Sequence, residues 1–426
     1  MNMKCKLWMI AVILLHSSFT LQSAAQTLTL DECKQEARQN YPAIRQYDLV
    51  EKSRDLTVSN AQKAWLPGVS VTGFGAGFTD VLSISGQAGA LLGDMKNYLA
   101  GGSVMVNQAI YDGGAIGAQK NVARAKADVD AKQLDVNLYG INERVEQLFF
   151  GVLMLDEQLH QVSLLLDDLA ISEKTVTSLI HGGLANQSDL DAVRVRQVQA
   201  EQQRIALQSQ RYTYLNMLGY FIGKELNADT LLAKPKAVTA AVDNQRPELS
   251  YYASQESLLD AQRKALNTRL LPTLGAFGMA TIHNKVMPMV KPGMLAGGLT
   301  LSWNIGALYT RKNDLANIEN QRQQIDAQRE TFIFNNQLQN RQSNGTIENI
   351  RQQMTLDDKA VALRESIRDK AEKKVKNGTE TVNELLRDIN AVSEARQQKA
   401  IHELQLLQEE YKLNTINGGP TPLPLP

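Results

Sequence analysis

The chain has 426 residues, with 45 basic and 45 acidic side chains and a formal charge of zero. That balance argues against a nucleic-acid binder at the level of the whole chain, and a hydrophobic share of 43% excludes wholesale disorder. Proline is missing between Pro67 and Pro235 and again between Pro292 and Pro420, so two long tracts are free for uninterrupted helix.

Residues 1–25 read as a secretory signal peptide. Lys4 and Lys6 precede an apolar run from Leu7 to Leu15, and Ser23-Ala24-Ala25 supplies a small-residue cleavage site. Cys33 follows Asp31-Glu32, which is not a lipoprotein context, so the exported chain is expected to carry one thiol and no disulfide. No later segment has the run of about 18 apolar residues that a membrane-spanning helix needs.

The rest of the chain is a duplication. Tyr41-Pro42 to Leu66-Pro67 matches Arg246-Pro247 to Leu271-Pro272, both prolines recurring at a spacing of 205. Gly183 and Gly378, and Asp189-Leu190 and Glu384-Leu385, recur at 195. The first repeat covers 26–235 and the second 236–417; residues 418–426, rich in proline, read as a disordered tail. Each repeat opens with a helix of about 25 residues that should stop at Leu-Pro, because the residue before proline is pushed out of helical geometry. In the first copy Ala37, Ile44, Ala61 and Ala64 mark its apolar spacing.

Two strands are then predicted per repeat, about 68–80 and 99–111, and about 273–283 and 294–305. Leu299, Leu301 and Trp303 alternate with Thr300 and Ser302, which gives one apolar and one polar face. Gly73, Gly75 and Gly77 share a face with Val69 and Val71. Loops at 81–98 and roughly 284–293 separate the members of each pair. Long helices follow, from about Ala115 to Ile180 and from about Leu308 to Lys376, each roughly 100 Å long at 1.5 Å per residue. Gly182-Gly183 and Asn377-Gly378 punctuate their ends, so the hairpin tips fall at 182–187 and 377–379. Return helices at 188–221 and 380–414 carry heptad-like apolar positions, which suits coiled-coil packing.

Strands of about ten residues match the length needed to cross a bilayer. A spanning sheet must close, and four strands cannot close a barrel. Two chains would supply eight strands and three would supply twelve, wide enough for a lumen. The alternative is a secreted coiled-coil structural or adhesive protein whose strands form a small soluble β cap. The scattered histidines His160, His181, His283 and His402 offer no metal spacing, and no catalytic constellation is signalled. Neither enzyme activity nor a cofactor is expected.

The paired Leu-Pro junctions at Pro67 and Pro272, the run Asn107-Gln108-Ala109-Ile110-Tyr111-Asp112-Gly113-Gly114, and the two tips occur in duplicate and in a fixed order. In these features the sequence resembles the TolC-like outer-membrane efflux protein family across nearly all of the expected mature chain. The resemblance implies a mixed α and β fold. Four transmembrane β-strands per chain join a twelve-stranded barrel in a homotrimer, and a long α-helical coiled-coil tunnel lies in the periplasm. It implies outer-membrane lipid, a periplasmic adaptor (membrane fusion) protein and an inner-membrane transporter as partners, and no nucleic acid. Gly182, Gly183, Asn377 and Gly378 become adaptor-docking candidates. Asp189 and Glu384 match acidic gate positions, while Glu380 stands where the family's best-studied type has arginine and Arg387 where it has a second acid. A Glu384–Arg387 pair at i,i+3 is expected as a replacement, and mutual repulsion in a carboxylate ring should raise the pKa of Glu384. Asp189 and Glu384 also fit the first turn of a return helix, where acids favour the helix dipole.

Overall fold

The computed structural model describes residues 27–77, 98–238, 244–284 and 291–419. The expected signal peptide, most of both loops and all but two residues of the tail lie outside them. The exceptions in the tail, Gly418 and Gly419, donate to Thr415 O and Asn414 O and so belong to the end of the last helix.

The chain forms two compact units, and each draws on both repeats. Of the described residues, one comprises those up to Tyr41, those within Leu138–Gln245 and those from Asn336 onward; the other comprises those within Pro42–Asn137 and Arg246–Asn335. Compactness therefore does not follow the repeat boundary at 235/236. Within the first unit, buried side chains of both hairpins share one core.

In the first unit, α1 (Leu30–Asn40) starts at a capping box in which Thr29 and Glu32 satisfy each other's backbone N–H groups. It ends at Tyr41, whose extended backbone is what Pro42 imposes on its neighbour. The single opening helix expected from the sequence is thus two helices, since Pro42–Arg45 form a 3-10 turn before α2 (Gln46–Lys63). Ala37 is buried in α1, Ile44 sits in the turn and Ala61 is buried in α2. The same duplicated proline acts differently in the second repeat. Pro247 occupies the first turn of α5 (Pro247–Thr268), where its missing N–H costs nothing.

The two long helices are α3 (Ala115–His181) and α6 (Ala307–Lys376), and their return partners are α4 (Gln187–Ile222) and α7 (Val382–Ile416). Near the tips all four share one core, to which Val176, Val193, Val375 and Leu385 contribute one buried side chain each. Elsewhere in this unit Lys34 Nζ lies 2.5 Å from Glu146 Oε1, both nearly buried. Thr415 Oγ1 donates to the same carboxylate at 2.6 Å, and Tyr139 OH donates to Thr415 O at 2.7 Å. Burial is the main influence on the Glu146 carboxyl and raises its pKa, with the Lys34 charge opposing it. These contacts fasten α1 and α3 to the end of α7.

The second unit holds one antiparallel sheet in the order β1 (Gly68–Gly77), β2 (Tyr98–Tyr111), β3 (Thr273–His283), β4 (Gly293–Ser302). α2 and α5 end at Lys63 and Thr268, three residues before Leu66-Pro67 and Leu271-Pro272. The intervening turns use the same three bonds: Ala64, Trp65 and Leu66 donate to Ala61, Gln62 and Lys63, and Arg269, Leu270 and Leu271 donate to Leu266, Asn267 and Thr268. β4 stops at Ser302, not 305 as expected, because Asn304–Gly306 already turn into α6 and Ala307 N donates to Asn304 O. At the other return to helix, Gly113 and Gly114 have φ of 66° and 82°, which only glycine adopts without strain. Asp112 then accepts from Gly114 N and Ile116 N at 2.9 and 2.6 Å, which starts α3.

Candidate functional site

The sheet register sorts the side chains into two faces, since directly opposed residues lie on the same side. Val69, Val71, Val104 and Val106 share one face with Leu274, Ala280, Ile282, Leu295, Leu299 and Leu301. Gln108 is a polar exception, and its amide donates to Trp65 O and Ala109 O at 2.7 and 2.8 Å. The opposite face carries Ser70, Thr72, Ser103, Asn107, Thr273, Thr281, Thr300 and Ser302. Leu99, Met105, Met279 and Met294 also lie on this face, as do two aromatic rings that each lie over glycine on the next strand. A Cβ on Gly101 would come within 2.8 Å of the Phe74 ring, and one on Gly298 within 3.1 Å of the Phe277 ring.

The apolar face is bare in the single chain: Val71 is 77% exposed, Leu299 71% and Leu301 73%. A soluble cap would leave several such side chains in water at a cost of about 1.5–3 kcal/mol each. β1 and β4 also present unpaired edges. This chemistry calls for an apolar medium on one face, water on the other and further strands at both edges. The faces are those read from the alternation of 299–302.

The tips are built alike. Gly183 and Gly378 have φ of 73° and 70°. Leu184 N donates to Leu179 O and Thr379 N to Lys374 O, both at 2.9 Å, which closes the same helix-terminating motif twice. Gly182 N donates to Ser178 O, and Asn377 N to the carbonyls of Lys373 and Lys374. The next helix starts with a capping box in both copies. In the first, Asn186 N donates to Asp189 Oδ2 at 3.0 Å and Asp189 N to Asn186 Oδ1 at 3.2 Å. In the second, Thr381 N and Oγ1 both donate to Glu384 Oε2 at 3.0 Å, and Glu384 N donates to Thr381 Oγ1 at 3.3 Å.

The gate candidates are thus engaged locally. The expected Glu384–Arg387 ion pair is not among the ion pairs of the described residues, because Thr381 already takes the Glu384 carboxylate. Within the chain the pKa of Glu384 is lowered, chiefly by the Thr381 backbone N–H and then by its hydroxyl, with the Arg387 charge a smaller influence. Glu380, largely buried, pairs with Lys374 Nζ at 3.3 Å. No hydrogen bond or ion pair among the described residues joins Asp189 to Glu384.

Sequence reasoning missed an ionic link between the hairpins. Asp168 Oδ2 on α3 lies 3.6 Å from Arg368 on α6 and 3.6 Å from Arg396 on α7, and Arg396 also reaches Glu365 at 2.5 Å. No local spacing signals it, because its members lie up to 228 residues apart in the chain.

Residues 34–224 match the family model of the outer membrane efflux proteins. Solved structures extend the likeness to both repeats. VceC, the outer membrane protein of Vibrio cholerae, is 12% identical, with 92% of this chain and 96% of that one covered and a TM-score of 0.67. CusC is 16% identical, covers 92% of each chain and gives a TM-score of 0.68. The MtrE outer membrane channel of Neisseria gonorrhoeae, in its open state, is 13% identical, with 92% and 89% covered and a TM-score of 0.65. No curated protein matches the sequence. The fold is TolC-like, shared with these outer-membrane channels, and residues 34–224 are similar to the outer membrane efflux proteins.

Proposed function

We propose that the chain is the outer-membrane channel of a tripartite export system. Three copies close a twelve-stranded barrel, and their hairpins form a periplasmic tunnel. One observation carries this reading: a four-stranded sheet with open edges, one uncovered apolar face and one polar face. Lipid covers the first face and the lumen wets the second. The family match and the structural likeness support the same reading. They favour it over a secreted coiled-coil protein with a soluble cap, which has no use for that face.

In this reading the tips form the periplasmic entrance. Gly182, Gly183, Asn377 and Gly378 face the adaptor protein, which links the channel to an inner-membrane transporter. Asp189, Glu380, Glu384 and Arg387 set the charge of the entrance. The solute path is a passage between compartments, and no chemical step is assigned to it. Planar-bilayer recording of the purified protein tests the reading, together with an engineered disulfide between β1 of one copy and β4 of the next. Discrete conductance and a covalent trimer are expected; a folded monomer without conductance would overturn it.

A further inference from the structure

Both tryptophans among the described residues, Trp65 and Trp303, lie at one end of the sheet. β1 begins just after Trp65 at Gly68, and β4 ends at Ser302 opposite the first residue of β3. Tyr111 closes β2 at the same end, and Trp303 and Tyr309 are 61% and 84% exposed. Trp and Tyr rings gather where hydrocarbon gives way to headgroups. If the apolar face lies in lipid, this end lies at headgroup depth.

A cavity of about 250 Å³ opens there, between the last turn of α5 and the first turns of α6. Arg269 and Arg311 both line it, and neither makes an ion pair or a side-chain hydrogen bond among the described residues. Asn304 and Thr310 add polar groups. The carboxylate in the lining, Asp314, accepts from Thr310 Oγ1 at 2.9 Å. Trp303 is tied to the wall of the cavity, since its Nε1 donates to Leu270 O at 3.1 Å. Next along the sheet from the terminal Thr273–Ser302 pair, Leu274 and Leu301 are paired on the apolar face.

We infer that this cavity holds the phosphate ester of a phospholipid headgroup between Arg269 and Arg311, with the acyl chains running up past Leu274 and Leu301. Guanidinium groups suit phosphate because they offer paired donors in one plane and stay charged. Free phosphate would satisfy the same donors, but it would not use the apolar face of the sheet, which begins with Leu274 and Leu301 at this end. The inference rests on the membrane reading of the sheet.

The test uses the mature, full-length protein carrying Trp65→Phe, so that Trp303 reports alone, reconstituted in vesicles doped with brominated phosphatidylglycerol or brominated phosphatidylcholine. The expected result is stronger Trp303 quenching by the phosphatidylglycerol at equal mole fraction, unaffected by added inorganic phosphate. Arg269→Gln and Arg311→Gln should each weaken the preference about fivefold, the usual effect of one basic side chain at an anionic surface. The double variant should abolish it while ordinary quenching by both lipids remains, which also shows that the barrel has folded. An anionic preference that survives the double variant would overturn the arginine site. A preference removed by inorganic phosphate would make it a site for free phosphate. Absence of quenching by either lipid would sink the membrane reading itself, and this site with it.

Discussion

Leu184, just past the glycine pair of the first tip, packs on Gly378, the turning glycine of the second. A Cβ placed on Gly378 would lie 3.4 Å from Leu184 Cδ2, ordinary contact distance. Alanine therefore has room at Gly378, and its penalty should come from the left-handed backbone alone, about 1 kcal/mol. Gly183→Ala, in open space at φ 73°, should cost the same. Paired denaturation curves check this. A much larger loss for Gly378→Ala would mean that the two tips grip each other more tightly than this contact distance implies.

The sheet register makes a sharper prediction. Leu299→Arg puts a charge on the apolar face three residues in from the end of β4 and should cost about 2–4 kcal/mol near the bilayer midplane, less toward the interface. Ser302→Arg lies on the other face and should fold and alter conductance. Urea-driven folding into lipid vesicles separates them. The opposite ranking would mean a register shifted by one residue.

Glu384 has two candidate roles that one substitution can separate. Glutamine still serves a capping box, so Glu384→Gln should keep the cap and lose only the part of its strength that depends on the charge. If Glu384 helps to line the entrance, the same variant should move channel selectivity away from cations, and Glu384→Gln/Arg387→Ala should restore much of it. An unchanged selectivity in Glu384→Gln would confine this residue to capping its helix.

The same carboxylate gives the tip a pH dependence of known sign. Its pKa is lower in the folded chain than in the unfolded one, through the Thr381 backbone N–H and hydroxyl. The stabilisation is therefore complete above the ordinary glutamate value, about 4.3. It is lost as the pH falls through the depressed folded value. Amide exchange in the first turn of α7 should lose protection over that acid range, and Thr381→Ala should flatten the response.

The buried Lys34–Glu146 pair should behave non-additively. Lys34→Met or Glu146→Leu alone strands a buried charge and should cost about 3–5 kcal/mol, whereas the double variant should be close to neutral. A double-mutant cycle in denaturant measures the coupling. Additive losses would show that water reaches the site.

The local patterns were legible where the physics is local. Period-two alternation at 299–302 fixed the faces of β4, and glycine at 183 and 378 fixed the turns. The capping boxes were legible too, as Asn186-Gln187-Ser188-Asp189 and Thr381-Val382-Asn383-Glu384, although dipole and gate arguments drew attention to the acids alone. The break at Tyr41-Pro42 follows from the rule that ended the helix expectation at Pro67, applied one proline earlier. The Asp168–Arg368–Arg396 link and the division into units that cut across the repeats were not legible. Both depend on which hairpin faces which, and periodicity along one helix carries no such information.

The capping boxes at the two tips share no residue at any of their four matched positions, yet they make the same reciprocal pair of backbone-to-side-chain bonds. An aligner that compares letters scores four mismatches where this pair of bonds has none. Divergence between the two copies was therefore free to rewrite the spelling of this corner, provided that each new letter kept an oxygen within reach of the same amide. Ancestry at such a site is better traced by donor and acceptor geometry than by identity, and percentage identity understates how much of the original turn survives.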